Sequence, residues 1–365
     1  MKHLKTFWDS IIITVLCLAA AAWWGQHEGN SVVTVLYTVI VLGIMEVALS
    51  FDNAVINATK LKYLSTFWQK FFLRFGILVA VFGMRFAFPI EIVAVTTGQG
   101  FMDVLHLSLD NPKEYSRLLL SHHGEIAFFG GAFLFMIFFG FLFDNEKEHH
   151  WLGGLERKIA ALGKVDAIST IATLALVFGV SHYLPEDEQN VCFFAGVLGV
   201  FANLLVGGLE SLFDTDEDGA SVGQVVVKTG MAALATVLYL EVLDASFSFD
   251  GVIGAFAVTN DVITIMLGLA IGAAFVRSLT VFLVETGAIN EFAYLEHGAS
   301  YAIGALSIIM FASVFHHLPE WVPATVSVFL IGASLYSSIR KNKLDALAES
   351  VNDDAKADSV ETKQN

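Results

Sequence analysis

Residues 241–261 read EVLDASFSFDGVIGAFAVTND, and the chain is apolar on either side, with TGMAALATVLYL at 229–240 and VITIMLGLAIGAAF at 262–275. Glu241, Asp244 and Asp250 therefore lie inside a stretch with the composition of a bilayer span. A carboxylate at the centre of a helix in lipid costs about 2.5 to 3.5 kcal/mol even on the mildest scales, so such residues face a cavity or a partner. The rest of the chain has the same character. Of 365 residues 56% are hydrophobic and 15% charged, against about 25% charged in a soluble domain. That composition predicts an all-α polytopic membrane protein whose surroundings are the lipid bilayer. The formal net charge of −16 resides in loops, the C-terminal tail and the spans, which argues against a nucleic-acid partner. Cys17 and Cys192 fall in apolar runs and suggest neither a disulfide framework nor a thiolate metal site.

Apolar runs of roughly 17 to 25 residues fall near 9–25, 31–50, 70–95, 123–143, 166–184, 190–208, 224–247, 261–284, 298–316 and 321–339, predicting about ten transmembrane helices. With the N-terminus inside, the cations at 2, 5, 60, 62, 70, 147, 157, 158, 164, 340, 341 and 343 fall on the cytoplasmic side, and only Lys113 and Arg117 fall in outer loops. The positive-inside rule then puts both termini in the cytoplasm, with a bacterial inner membrane as the expected location. The basic head and short apolar run of MKHLKTFWDSIIITVLCLAAAAWWG also fit a signal peptide. Trp23 and Trp24 suit an interfacial anchor and favour a retained first helix.

The run MEVALSFDNAVINATK at 45–60 echoes the opening stretch when Ser50-Phe51-Asp52 is laid on Ser248-Phe249-Asp250, which sets Glu46 on Asp244. A second echo follows in the same order: His123-Gly124 with Gly130 and Ala132 recurs as His297-Gly298 with Gly304 and Ala305. Two matched points define a repeat of about three helices, the second to fourth spans against the seventh to ninth. Five spans separate the copies, so they cross in opposite directions, as in the inverted repeats of many secondary transporters. The organisation is then an anchor helix at 1–30, a first repeat at 31–143, a linking loop with two extra helices at 144–223, a second repeat at 224–316, a last helix at 317–340, and an acidic tail at 341–365 expected to be disordered.

On one continuous helix Glu46 and Asp52 lie about 240° apart. A break near Ser50-Phe51-Asp52 would bring them together, and a break near Ser248 would do the same for Asp244 and Asp250, with Gly251 and Gly254 adding pliability. Glu241 shares a face with Asp244 at i,i+3 and is a fifth candidate. These carboxylates, the hydroxyls of Ser50 and Ser248, the amide of Asn53 and any freed carbonyls form an all-oxygen set suited to Mn²⁺, Mg²⁺ or Ca²⁺. Met45 offers a thioether that would favour Mn²⁺, though methionine in a membrane helix more often packs. The bland reading is a set of interhelical ion pairs, with Arg74 and Arg277, each on the helix after a motif, as counter-charges.

At EVALSFDN, residues 46–53, the chain resembles the TerC group of integral membrane proteins, within the superfamily that includes the lysine exporters; the form E-V-x-L-S-x-D-N carries the likeness. The second copy resembles a branch catalogued as domain of unknown function 475, and the likeness runs from about Val33 to Ser338. It implies metal-ion export, with Mn²⁺ as cargo, and in some members a link to tellurite or envelope stress. The family's acidic motif positions correspond to Glu46, Asp52, Asn53, Asp244 and Asp250. This chain has Gly251 where the first copy has Asn53, and more spans than the seven or so usual for the group.

DTDEDG at 214–219 imitates half a calcium loop, but position twelve is Val225, so an acidic solvated loop is the better reading. The pairs His122-His123, His149-His150 and His316-His317 read as interfacial histidines before metal collectors. Arg85 and Glu91 either pair along their helix or sit at a membrane boundary near Pro89. No nucleophile with a paired base and no cofactor fingerprint is present, so an enzyme is not expected. The leading expectation is a divalent-cation exporter working by alternating access, with protons exchanged at the carboxylates. Its rivals are a membrane scaffold or sensor in a stress complex that binds a cation without moving it, and an exporter of a small organic cation.

Overall fold

The computed structural model describes residues 6–364 apart from Glu146, Glu148, Asp166, residues 214–226, His317 and Glu320; within helices the side chains of Glu210, Phe213, Phe249, Asp250, Asn290 and residues 346–364 are likewise outside the description. The acidic loop at 214–219 and His317 therefore lie outside the described residues. The first half comprises α1 (Trp8–His27), α2 (Val32–Leu49), α3 (Phe51–Leu61), α4 (Thr66–Leu78), a π-helical stretch Val79–Ala87, α5 (Phe88–Thr97), α6 (Phe101–Asp110), α7 (Pro112–Ser121) and α8 (His123–Leu142). Then come α9 (Gly154–Ala160), α10 (Ile168–Ser181), α11 (Glu186–Phe213), α12 (Gly230–Val258), α13 (Val262–Thr286), α14 (Ala288–Glu291), α15 (Leu295–Ser313) and α16 (Trp321–Gln364). Helices are what lipid permits, because every backbone group must find its partner within the segment.

Among the described residues nine helices are long and apolar enough to cross a membrane, and α9 with α10, bent by 101°, form a broken candidate. Packing directions decide whether α10 crosses. His123, at the start of α8, bonds Ser313 at the end of α15 (2.9 Å), while His297, near the start of α15, stacks edge-on against Phe141 at the end of α8. The two helices are therefore antiparallel. By contrast, Gly124 of α8 lies against Cys192 of α11, and Asn203 of α11 reaches the Phe133 carbonyl, so α8 and α11 run parallel. Both directions require one crossing between α8 and α11, and α10 supplies it. At 14 residues it spans about 21 Å at 1.5 Å per residue, and the turn to Leu184 extends it.

The helices α8 and α15 meet face to face. Ser307 of α15 donates to the Gly131 carbonyl (2.6 Å), Gly130 lies against Met310, and Gly304 lies against the Phe138 ring. Small residues let these two helices approach closely, the usual means of association where lipid removes the hydrophobic drive. The α2 helix runs parallel to α13, with Leu42 and Gly43 against Gly268 and Glu46 against Gly272. On the far side of α13, α1 is antiparallel: Ser10 donates to the Ala274 carbonyl (2.8 Å) and Trp24 Nε1 donates to Asp261 (2.9 Å). At the opposite face of the membrane domain from the α1–α2 turn, a parallel bridge of Leu64 and Lys228 ties the end of α3 to the start of α12.

Two expectations need correction. The motif helix breaks in the first copy only: Ser50, at φ −104° and ψ 17°, separates α2 from α3, whereas α12 runs through Ser248 without interruption. At 100° per residue Glu241, Asp244 and Ser248 already share one face, so no break is needed to gather them. The tail expected to be disordered continues α16 to Gln364. Extending a formed helix adds a hydrogen bond per residue without a new nucleus, and Ala, Glu and Lys are good formers.

Candidate functional site

Glu46, Ser50, Asp52, Asn53, Glu241, Asp244, Ser248 and Arg277 are all buried, with Asp52 fully so. They form two arginine-centred groups and one isolated acid. In the first group Ser50 Oγ donates to Glu46 Oε1 (3.0 Å), and Arg85 Nη2 donates to the same oxygen. Arg85 Nη1 also donates to the Ala80 carbonyl (2.8 Å). Both residues belong to the π-helical stretch, whose wider turn alters the normal carbonyl pairing and is a geometry frequent at functional sites. In the second group Arg277 grips Glu241 with both η nitrogens (3.0 and 2.8 Å), touches Asp244 (3.2 Å) and donates to the Phe72 carbonyl (3.2 Å). Its guanidinium lies 4.5 Å from the Phe72 ring centroid. This two-pronged geometry is the strong form of a carboxylate pair.

Asp52 stands apart. It sits in the first turn of α3, where Ser327 of α16 and the Asp52 and Asn53 N–H groups approach the carboxylate without completing a well-aligned hydrogen bond, and no cation pairs with it among the described residues. Ser50, at the break between α2 and α3, bonds Glu46 and not Asp52. Asp250 lies on the α12 backbone, with its side chain outside the description. Among the described residues, which leave out the Asp250 side chain, no three His, Cys, Asp or Glu side chains are arranged to share a metal ion.

The two motifs nevertheless touch. A Cβ on Gly251 would come within 2.6 Å of Glu46 Oε2, so the glycine standing where the first copy has Asn53 makes room for the other copy's carboxylate. Gly76 plays the corresponding part for the second group, because a Cβ there would run into Arg277 Nη1 and Glu241 Oε1. Gly76→Ala is expected to destabilise the protein by about 1 to 3 kcal/mol through overpacking. Gly83→Ala in the same span is the control: its Cβ would meet only Val79, at 3.7 Å. Thermal unfolding in detergent compares them; equal melting temperatures for the two variants would contradict the packing at Gly76.

The counter-charge for the first motif is Arg85. Arg74, expected in that role, is three-quarters exposed and lies 3.6 Å from Asp9. Arg85 lay among the undecided residues because Glu91 offered a nearby partner, but Glu91 is exposed and Arg85 points inwards. The repeat itself held the signal, since Arg85 follows Glu46 by 39 residues and Arg277 follows Asp244 by 33, each on the next span. Met45 packs against an apolar cluster with Ile90 and Val252. The histidine pairs make structural contacts: His122 with Glu125 (3.1 Å), His123 with Ser313, and His149 with Lys341 (3.3 Å).

Three relatives illustrate the comparison with known proteins. The uncharacterized membrane protein YceF of Bacillus subtilis is 33% identical over 105 residues, covering 28% of this chain and 40% of that protein. The uncharacterized membrane protein RC1219 of Rickettsia conorii is 25% identical over 244 residues, 64% of this chain and 71% of its own. The uncharacterized membrane protein STKORF319 of Myxococcus xanthus is 28% identical over 116 residues, 32% and 36% of the two chains. The chain thus spans well under half of the first and third. No solved structure matches. The family model described as protein of unknown function DUF475 matches residues 51–345, taking in α3 to α15 and both arginine-centred groups except Glu46 and Ser50, and the chain belongs to that family.

Proposed function

We propose that this membrane protein is a transporter that exports a hard divalent cation, Mn²⁺ foremost, by alternating access between its two halves, with protons exchanged at the carboxylates. One observation carries the reading. Glu46 Oε2, both Asp52 oxygens, Asn53 Oδ1, Asn57 Oδ1 and Ser248 Oγ are all buried without a hydrogen-bond partner. Buried acceptors are normally satisfied, and unpaired oxygens on α2, α3 and α12 supply the donor chemistry of Mn²⁺, Mg²⁺ or Ca²⁺. Charge points the same way. Among the described buried side chains of the site, four acids (Glu46, Asp52, Glu241, Asp244) face two arginines (Arg85, Arg277), and four minus two leaves a surplus equal to one divalent cation when all are ionised. The choice of Mn²⁺ within that class rests on the resemblance to the TerC group.

The opposed directions of α8 and α15 suit a two-halved carrier. A location in a bacterial inner membrane with both ends cytoplasmic follows from the cation distribution, and an even number of crossings agrees with it. The second reading, a scaffold or sensor of metal or tellurite stress, draws on the strong Arg277 pairing, which would equally serve a static bundle. Mn²⁺ accumulation in everted membrane vesicles separates them. Vesicles containing the protein should accumulate Mn²⁺ above vesicles lacking it; equal accumulation with correctly inserted protein would favour the scaffold.

A further inference from the structure

We infer that Arg85 and Arg277 are tethered cations occupying the motif carboxylates in the unloaded protein, and that the cargo binds in competition with them, displacing Arg85. The inference rests on the transport reading above and concerns how that site is emptied and filled.

Each arginine comes from the span that follows its motif, each guanidinium is buried, and each leaves its Nε without a partner. The two are not held alike. Arg277 has both oxygens of Glu241, one of Asp244, a carbonyl and an aromatic face. Arg85 has a single oxygen of Glu46 and the Ala80 carbonyl. Glu46 Oε2, directed at Gly251, remains unsatisfied. The Arg85 contact is therefore the weaker one, and Glu46 is the carboxylate with most to gain from a cation that binds both its oxygens.

A displaced Arg85 has somewhere to go. Asp244 and Glu241 both lie close enough to attract its charge, and together they carry one charge more than Arg277 neutralises. A dication arriving at Glu46 would thus push Arg85 towards the second motif and couple the two copies. The arrangement also answers a cost that every carrier meets: the empty site must turn through the low-dielectric interior, where bare carboxylates are expensive. A guanidinium that re-enters the site when the cargo leaves lowers that cost, and protons taken up at the remaining carboxylates lower it further.

The test compares purified parent, Arg85→Gln, Arg85→Lys and the double variant Arg85→Gln/Glu46→Gln, with Mn²⁺ binding measured by equilibrium dialysis and Mn²⁺ flux in proteoliposomes. Without its competitor the Arg85→Gln site should bind Mn²⁺ tighter than the parent by about tenfold or more, while flux is lost because the empty site cannot return. Arg85→Lys, whose ammonium pairs less firmly with a carboxylate, should show an intermediate affinity, and it carries the test if Arg85→Gln does not fold. The double variant should lose the gain. A parent that transports Mn²⁺ while the Arg85 variants bind it no tighter overturns the tethered-cation inference alone. A parent that neither binds nor moves any divalent cation overturns the transport reading and this inference with it.

Discussion

Arg277→Gln is expected to lower the stability of the protein by about 3 to 5 kcal/mol, the cost of leaving buried carboxylates without their partner. The guanidinium is 2% exposed and is the principal counter-charge for both Glu241 and Asp244. It also anchors α13 to the Phe72 carbonyl of α4, so three helices lose a common tie. The double variant Arg277→Gln/Glu241→Gln should recover part of the loss, because it removes one of the two carboxylates left without their partner, and the triple variant that adds Asp244→Asn should recover more. Melting temperature in detergent provides the readout. A single variant as stable as the parent would mean that the buried pair does not hold the helices, and a double variant no better than the single would place the damage in packing.

Asp52→Asn should behave in the opposite way: Mn²⁺ flux falls to background while the melting temperature holds or rises. No described cation pairs with the carboxylate, which has only Ser327 and nearby backbone N–H groups beside it, so the isosteric amide removes an unneutralised buried charge and deletes an anionic ligand that a hard cation needs. The contrast with Arg277 separates acids that hold the bundle together from an acid kept for function. A marked loss of stability in Asp52→Asn would show that the carboxylate is structurally paired, and undiminished flux would move the site elsewhere.

Much of the fold was legible because apolar run length reports directly on lipid. Even the short α10 was found from its composition, although its 14 helical residues fall below the usual length of a span. A repeat was read from Ser50-Phe51-Asp52 and Ser248-Phe249-Asp250, and its second matched point, His123 and His297, falls at opposite ends of the antiparallel pair α8 and α15. What escaped was rotation and partnership. Helical phase sets Glu46 and Asp52 about 240° apart on a continuous helix, but no sequence rule says where a break at Ser50 turns them. Arg74 and Arg85 occupy the same span and differ in which face meets α12; only packing decides that, and it selected the arginine within the π-helical stretch. The sequence sets Gly251 where the first copy has Asn53, and the structure makes it the space into which Glu46 fits.

Flux through proteoliposomes containing this protein alone tests the central claim most directly, because no accessory protein can supply the transport. With Mn²⁺ outside and a chelating dye within, the parent is predicted to give saturable, protein-dependent uptake that Asp52→Asn abolishes at equal reconstitution. Uptake no greater than that of empty liposomes, from folded parent and for Mn²⁺, Mg²⁺ and Ca²⁺ alike, would contradict the account.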